Sequence, residues 1–199
     1  MNAARILYPV RVLGPGNRLG LWLCGCKRAC PGCSNPELWE QRAEYEISVN
    51  DLLTLIRKIA ETHPIDGFTI SGGEPFDQAG ELAELLAQLS HLSRDVLIYT
   101  GYQLEELRSS SKDGVHSLLD AAAVVIDGPY VEALNCDSPL KGSSNQRIHI
   151  LKREFQDLYD GYLSRCGNRI QNFTTSDGIV SVGIHHPGFT PRHPSSKEA

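Results

Sequence analysis

The sequence predicts an α/β fold, a single domain built as an open or partial (β/α) barrel. Two observations carry that prediction. Short apolar runs alternate with amphipathic helical stretches, the pattern of parallel strands joined by crossover helices. Only about four to six such units fit the chain, too few for a complete eight-fold barrel. Chemistry in such folds sits at the C-terminal ends of the strands. Here those ends meet loops rich in glycine or cysteine.

The elements follow in order. Leu19–Cys24 reads as a strand running into a cysteine loop. Ser48-Val49-Asn50-Asp51 resembles a capping box with Asp in place of Glu. Leu52, Leu55, Ile56 and Ile59 then recur at helical spacing. Phe68–Ile70 is a short strand ending at Ser71-Gly72-Gly73-Glu74-Pro75, and Leu82, Leu85, Leu86 and Leu89 form a second helical stripe. Val96–Thr100 is a strand stopped by Gly101, followed by short helices over Gln103–Arg108 and Val115–Leu119. Ala123–Ile126 is a buried strand ending at Asp127-Gly128-Pro129. Val131–Gln146 is rich in turn formers and reads as a long functional or partner-facing loop. Arg147–Leu151 suits one more strand, Phe155–Arg165 a helix, and Ile179–Ile184 a β-like alternation. No repeat or linker divides the chain. Residues 1–184 form the expected domain, with its core over about 10–150, and residues 185–199, holding three of the eleven prolines, read as a loose tail.

Composition narrows the function classes. With 41% hydrophobic and 22% charged residues the chain is an ordinary globular protein, which excludes pervasive disorder, collagen-like repetition and coiled coil. No apolar run approaches the roughly 18–20 residues that span a bilayer. The first residues lack the apolar stretch of a signal peptide, so no membrane role and a cytoplasmic location are expected. Nineteen Lys and Arg against 24 Asp and Glu, a formal charge of −5, argue against a nucleic-acid partner.

Of the six cysteines, Cys24, Cys26, Cys30 and Cys33 crowd into one short segment, whereas Cys136 and Cys166 stand alone and read as plain thiols. In a chain without a signal peptide such crowding favours metal or cluster ligation over disulfides. Cys26, Cys30 and Cys33 form a C-x3-C-x2-C triplet whose thiolates can converge on one inorganic centre. A structural zinc site would need a fourth ligand, which Cys24 could supply unless it is simply a buried strand residue. Iron–sulfur clusters commonly take four cysteines, and three would leave one iron open to a substrate or cofactor.

The triplet after an N-terminal strand resembles the radical S-adenosylmethionine superfamily. The context Gly25-Cys26…Cys30-Pro31-Gly32-Cys33-Ser34-Asn35-Pro36, followed by Trp39, resembles its branch of anaerobic ribonucleotide reductase activating proteins. Ser71–Pro75, Tyr99-Thr100-Gly101-Tyr102, Asp127-Gly128-Pro129-Tyr130 and Gly142–Arg147 match that branch in order, over about residues 10–150. The resemblance implies a partial barrel of the radical SAM type. It implies that Cys26, Cys30 and Cys33 ligate three irons of a 4Fe–4S cluster, with S-adenosylmethionine on the fourth. It further implies that Gly72 and Gly73 admit the methionine moiety, that Glu74 accepts from its ammonium, and that Thr100 and Asp127 hold polar groups of the cofactor or an associated cation. Asn145 and Arg147 are weaker candidates for its carboxylate or for the partner. The implied reaction is reductive cleavage to a 5′-deoxyadenosyl radical. The electron comes from a donor such as flavodoxin or ferredoxin, and the hydrogen atom from a glycine of a partner reductase, a glycyl radical enzyme. A radical SAM enzyme acting directly on a peptide or small molecule is the alternative, and a zinc-stabilised binding module the outsider. Taken alone, Gly-Gly-Glu-Pro is also a common turn before a helix, and Thr100-Gly101 and Asp127-Gly128-Pro129 are ordinary strand ends. His185-His186 could bind metal but suits a solvated pair in a tail.

Overall fold

The computed structural model describes residues 1–164, 167, 169–175 and 178–185. Cys166 and residues 186–199 of the expected tail lie outside the described residues, whereas His185, expected in a solvated pair, is part-buried with Nε2 3.1 Å from Ser181 Oγ. A six-stranded sheet organises the chain in the order β1-β2-β3-β4-β5-β8. Its centre is parallel: β2 (Arg18–Leu23), β3 (Gly67–Gly72), β4 (Val96–Tyr99) and β5 (Val124–Asp127). The edges are antiparallel, β1 (Ala3–Val10) on β2 and β8 (Arg147–Ile150) on β5. The fold is thus mixed α/β with a mostly parallel sheet, and the parallel part is four strands.

Helices supply the crossovers. α1 (Val49–Ala60) connects β2 to β3 and α2 (Ala79–Leu89) connects β3 to β4. α3 (Leu104–Arg108) and α4 (Val115–Ala121) connect β4 to β5. All four pack on one face. Leu52 and Ile56 of α1, Leu82, Leu85, Leu86 and Leu89 of α2, Leu107 of α3 and Leu118 of α4 meet Leu19, Leu21, Leu23, Phe68, Ile70, Ile98 and Val125 of the strands. The intervening strand residues turn to the opposite face. There Trp22 joins Val10, Leu13 and Leu38, while Leu97, Val124 and Ile126 pack with Tyr159 and Leu140. Burial on both faces explains why these strands read as near-continuous apolar runs.

The Ser48 cap forms as expected: its hydroxyl accepts from Asp51 N at 3.1 Å and donates to the Asp51 carboxylate at 2.6 Å. Asp is too short to reach the backbone N–H a Glu would take, so it meets the hydroxyl instead. Leu55, counted in the α1 stripe, is 43% exposed, and Leu53 takes the buried position.

Three regions depart from the sequence reading. Residues 131–146 are not one long loop: a 3-10 turn (Glu132–Leu134) leads into a hairpin of β6 (Asn135–Ser138) and β7 (Lys141–Ser143). Its strands are short and polar, so they carry no apolar alternation, and Leu140 at the turn is buried at a φ of 67°. β1 carries no period-two pattern because most of it is half-buried at a sheet edge. After α5 (Gln156–Leu163), the expected terminal alternation becomes β10 (Gly178–Gly183) and pairs with an unanticipated partner, β9 (Ile170–Thr175). No helix among the described residues is long and apolar enough to cross a membrane.

Candidate functional site

The site grows from the ends of the parallel strands. β2 runs into the cysteine loop, which is laced to its surroundings by backbone bonds. Gly25 N donates to Leu38 O at 2.8 Å and Cys26 N to Trp39 O at 2.7 Å. Beside it, Gly73 N donates to Leu23 O and Glu74 N to Gly25 O, both at 2.8 Å. The Gly-Gly-Glu turn therefore extends the β2–β3 pairing into the cysteine loop. Ala29, between Cys26 and Cys30, sits at a φ of 44°, a left-handed conformation unusual for a residue with a side chain.

The two glycines have a physical reason beyond the expected one. A Cβ on Gly72, at a φ of +100°, would lie 2.4 Å from Leu23 O, and one on Gly73 would lie 2.3 Å from Gly25 O. Their missing side chains admit the backbone of the cysteine strand, bringing the thiols against the end of β3. Both glycines also line a pocket at the strand ends, together with Cys26, Cys30, Cys33, Glu74 and Thr100.

Cys24 is not on that pocket wall. It is fully buried beside Trp22 and Leu38, with Sγ 2.7 Å from Glu40 O. Three thiols, not four, remain on the wall, which suits a cluster with one open iron better than an all-thiolate zinc site. Among the described residues no three His, Cys, Asp or Glu side chains gather as ligands of a single metal ion. Burial pushes the Cys26 and Cys33 thiols up, and the Glu74 carboxylate adds to the rise at Cys26. Backbone N–H groups of Arg28 and Ala29 at Cys26, and of Asn35 with the Trp39 indole at Cys33, pull the other way. Cluster loading must therefore displace protons from thiols already offered hydrogen bonds that favour thiolate.

Glu74 is 2% exposed. Its Oε1 accepts from Thr100 Oγ1 at 2.8 Å and Phe76 N at 3.1 Å, and its Oε2 from Gly101 N at 2.8 Å. Burial nevertheless pushes the carboxyl up to about 7. Thr100 thus orients Glu74 together with the Phe76 and Gly101 N–H groups. Arg28, visible in the sequence only as a charge inside the cysteine loop, also lines the pocket. Its guanidinium lies 4.2 Å from the Tyr102 ring centroid, and its Nε is 3.9 Å from Glu74 Oε2. Burial and the Asp77 carboxylate, which accepts from the phenol at 2.9 Å, push Tyr102 up to about 12, so it stays a neutral platform for the cation.

The remaining expected residues lie outside the pocket lining. Asp127 is fully buried and binds Arg147 (Oδ2 to Nη2, 2.6 Å) and Leu104 N (2.8 Å). Burial pushes its carboxyl up, but Arg147 and the Leu104 N–H outweigh that and hold it below the usual range. Arg147 also binds Glu105 and Gln103, each at 2.7 Å. Asn145 donates to Pro129 O at 2.8 Å. These three side chains tie β5, β8, the start of α3 and the turn after β5 together. Sequence reasoning also missed the far wall of the pocket, Val180–Ile184 of the terminal hairpin, because pairing between distant strands leaves no local signal.

The 4Fe-4S single cluster domain family matches residues 12–149, which include the cysteine loop and the Gly-Gly-Glu turn. The anaerobic ribonucleoside-triphosphate reductase-activating protein of Haemophilus influenzae is 33% identical over 162 residues, covering 73% of this chain and 96% of that protein. The chain belongs to this activating-protein family. The Escherichia coli K12 member is 31% identical over 159 residues (73% and 96% covered), and the member from Enterobacteria phage T4 is 31% identical over 153 residues (74% and 93%). Family membership thus spans the whole parallel sheet and the cysteine loop.

Proposed function

We propose that this chain is a radical SAM activating enzyme that generates a glycyl radical on an anaerobic ribonucleotide reductase. The observation that carries the reading is the set of three thiols on one pocket wall, with the fourth cysteine turned into the core. When bound, a reduced 4Fe–4S cluster supplies the electron that splits S-adenosylmethionine into methionine and a 5′-deoxyadenosyl radical, which takes hydrogen from a glycine of the reductase.

The chain's own residues hold, orient and shield. Cys26, Cys30 and Cys33 are the cluster ligands. Gly72 and Gly73 set the cysteine loop against β3, and Glu74, held by Thr100 and two backbone N–H groups, presents negative charge to the ligand's ammonium. Asp127, Asn145 and Arg147 act as positioning residues that brace the rim. Trp22, Tyr99 and β10 wall the pocket and limit water. We read the arc of β2–β5, with helices on one face, as the partial barrel of the radical SAM type, and residues 1–184 as its domain. A flavodoxin or ferredoxin is the expected electron donor. A reducing cytoplasm, where thiols persist, is the fitting location.

The test is anaerobic. The chain is reconstituted with iron and sulfide, given dithionite and S-adenosylmethionine, and assayed for 5′-deoxyadenosine beside a Cys26→Ala/Cys30→Ala/Cys33→Ala control. Cysteine-dependent product is expected. Stoichiometric zinc with no acid-labile sulfide would contradict the reading.

A further inference from the structure

We propose that Arg28 receives the carboxylate of the amino-acid end of S-adenosylmethionine, facing Glu74 across the pocket, so that the pair reads that end as a zwitterion. The inference rests on the activating-enzyme reading above. It replaces Arg147 as the cation for that carboxylate, because Arg147 is committed to Asp127, Glu105 and Gln103.

Two arginines line the pocket among the described residues, Arg5 and Arg28. Arg5 is occupied, with Nη2 2.6 Å from Glu37 Oε1 and Nη1 3.3 Å from Asn35 Oδ1. Arg28 is not: its Nε is buried without a hydrogen-bond acceptor among the described residues. Glu74 Oε2 forms an ion pair with it at 3.9 Å, beyond hydrogen-bond distance. Among the described residues Oε2 takes a single hydrogen bond, from Gly101 N, so it keeps an acceptor position. The pocket thus holds an unmet N–H and an acceptor with capacity to spare, of opposite charge and joined only by a long ion pair without a hydrogen bond. An α-amino acid end carries an ammonium and a carboxylate on one carbon, and it satisfies both groups at once. Leaving a buried N–H unmet is costly, so the site is poised to gain from that ligand.

The placement is built. The Tyr102 ring supports the guanidinium from one side. Gly101 opens the path, since a Cβ there would lie 2.2 Å from Arg28 Cδ and 2.6 Å from Nε. The strand-end glycine that reads as simple punctuation is therefore what lets the arginine reach the pocket. Lys27, its neighbour in the cysteine loop, is exposed and outside the lining.

The test compares two ligands on the full-length, anaerobically reconstituted chain, with iron and sulfide content matched between variants. Affinities for S-adenosylmethionine and for its decarboxylated form, which lacks only the carboxylate, are measured by equilibrium dialysis. Arg28→Gln is expected to weaken the intact ligand on the order of ten- to a hundredfold and to leave the decarboxylated one unchanged. Arg28→Lys should fall between, since it keeps the charge but not the fork. Gly101→Ala should reproduce the selective loss with Arg28 still in the sequence, because the new methyl group displaces it. Equal weakening of both ligands, or no weakening of either, would overturn the inference. A cluster-loaded wild type that binds neither ligand would instead contradict the activating-enzyme reading itself.

Discussion

The two ends of the parallel sheet each set an arginine beside a buried acidic residue, and they treat the pair in opposite ways. At the N-terminal end Arg18 is fully buried, with Nη1 2.5 Å from Asp95 Oδ2, Nε 2.7 Å from Thr69 Oγ1 and Nη2 2.6 Å from Phe68 O. Tyr159 closes the network by donating to Asp95 Oδ1 at 2.7 Å. At the C-terminal end Arg28 and Glu74 stand 3.9 Å apart, with hydrogen-bonding capacity left over on both. The first pair is saturated and locks β2, β3 and β4 together. The second is open, as a ligand site must be. Saturation spends a charge pair on stability, whereas separation keeps it available for binding.

The largest expected effect lies at the open end. Replacing any one of Cys26, Cys30 or Cys33 by Ser should abolish a stable cluster and with it 5′-deoxyadenosine formation, while the far-ultraviolet circular dichroism stays native. Iron and sulfide analysis reads the first outcome. Full cluster content in all three variants would contradict the ligand assignment.

The closed end should answer in stability instead. Asp95→Asn leaves the Arg18 charge buried without its partner, which costs about 3–5 kcal/mol when a buried pair is broken from one side. Urea unfolding of the variant checks this. A loss under about 1 kcal/mol, the range of exposed ion pairs, would mean that water relieves Arg18.

The contrast also has a pH signature. Glu74 has its folded carboxyl raised from the ordinary 4.5 to about 7, so the folded state holds that proton more tightly than the unfolded chain does. Its contribution to stability is complete below about pH 4.5 and is lost as pH rises through about 7, by roughly 3 kcal/mol. In the ligand-free protein Glu74→Gln should flatten that slope between pH 5 and about 8, as thermal unfolding across pH would show. An unchanged slope would assign the effect to other groups.

The smallest effect belongs to the rim. Arg147→Gln should lower the melting temperature modestly, because Arg147 is half-exposed and Asp127 keeps the Leu104 N–H and His149 beside it, and leave the affinity for S-adenosylmethionine unchanged. A selective loss of affinity would restore Arg147 to the cofactor site.

Much of this contrast is legible in the sequence. The cysteine spacing and the Gly-Gly-Glu turn are local in sequence, and both lie where the strand pattern puts chemistry. The parallel strands and α1, α2 and α4 announced themselves through apolar runs and stripes that tertiary packing then used. Arg28 did not, because its role depends on Gly101 and Tyr102, more than seventy positions away. Asp127 and Arg147 looked like ligands because strand-end polar residues often are, yet each found the other across β5 and β8. The β6–β7 hairpin was hidden by its polarity, and β9 by the distance of its effect, since its partner β10 closes a pocket opened by residues near the start of the chain.

One measurement addresses the central claim most directly. The reconstituted chain, with dithionite and S-adenosylmethionine, is incubated anaerobically with the anaerobic ribonucleotide reductase of its own organism, and the mixture is examined by electron paramagnetic resonance. The account predicts a glycyl radical on the reductase that vanishes when Cys26, Cys30 or Cys33 is replaced. No radical on the reductase, despite a loaded cluster and steady 5′-deoxyadenosine formation with some other hydrogen donor, would contradict it.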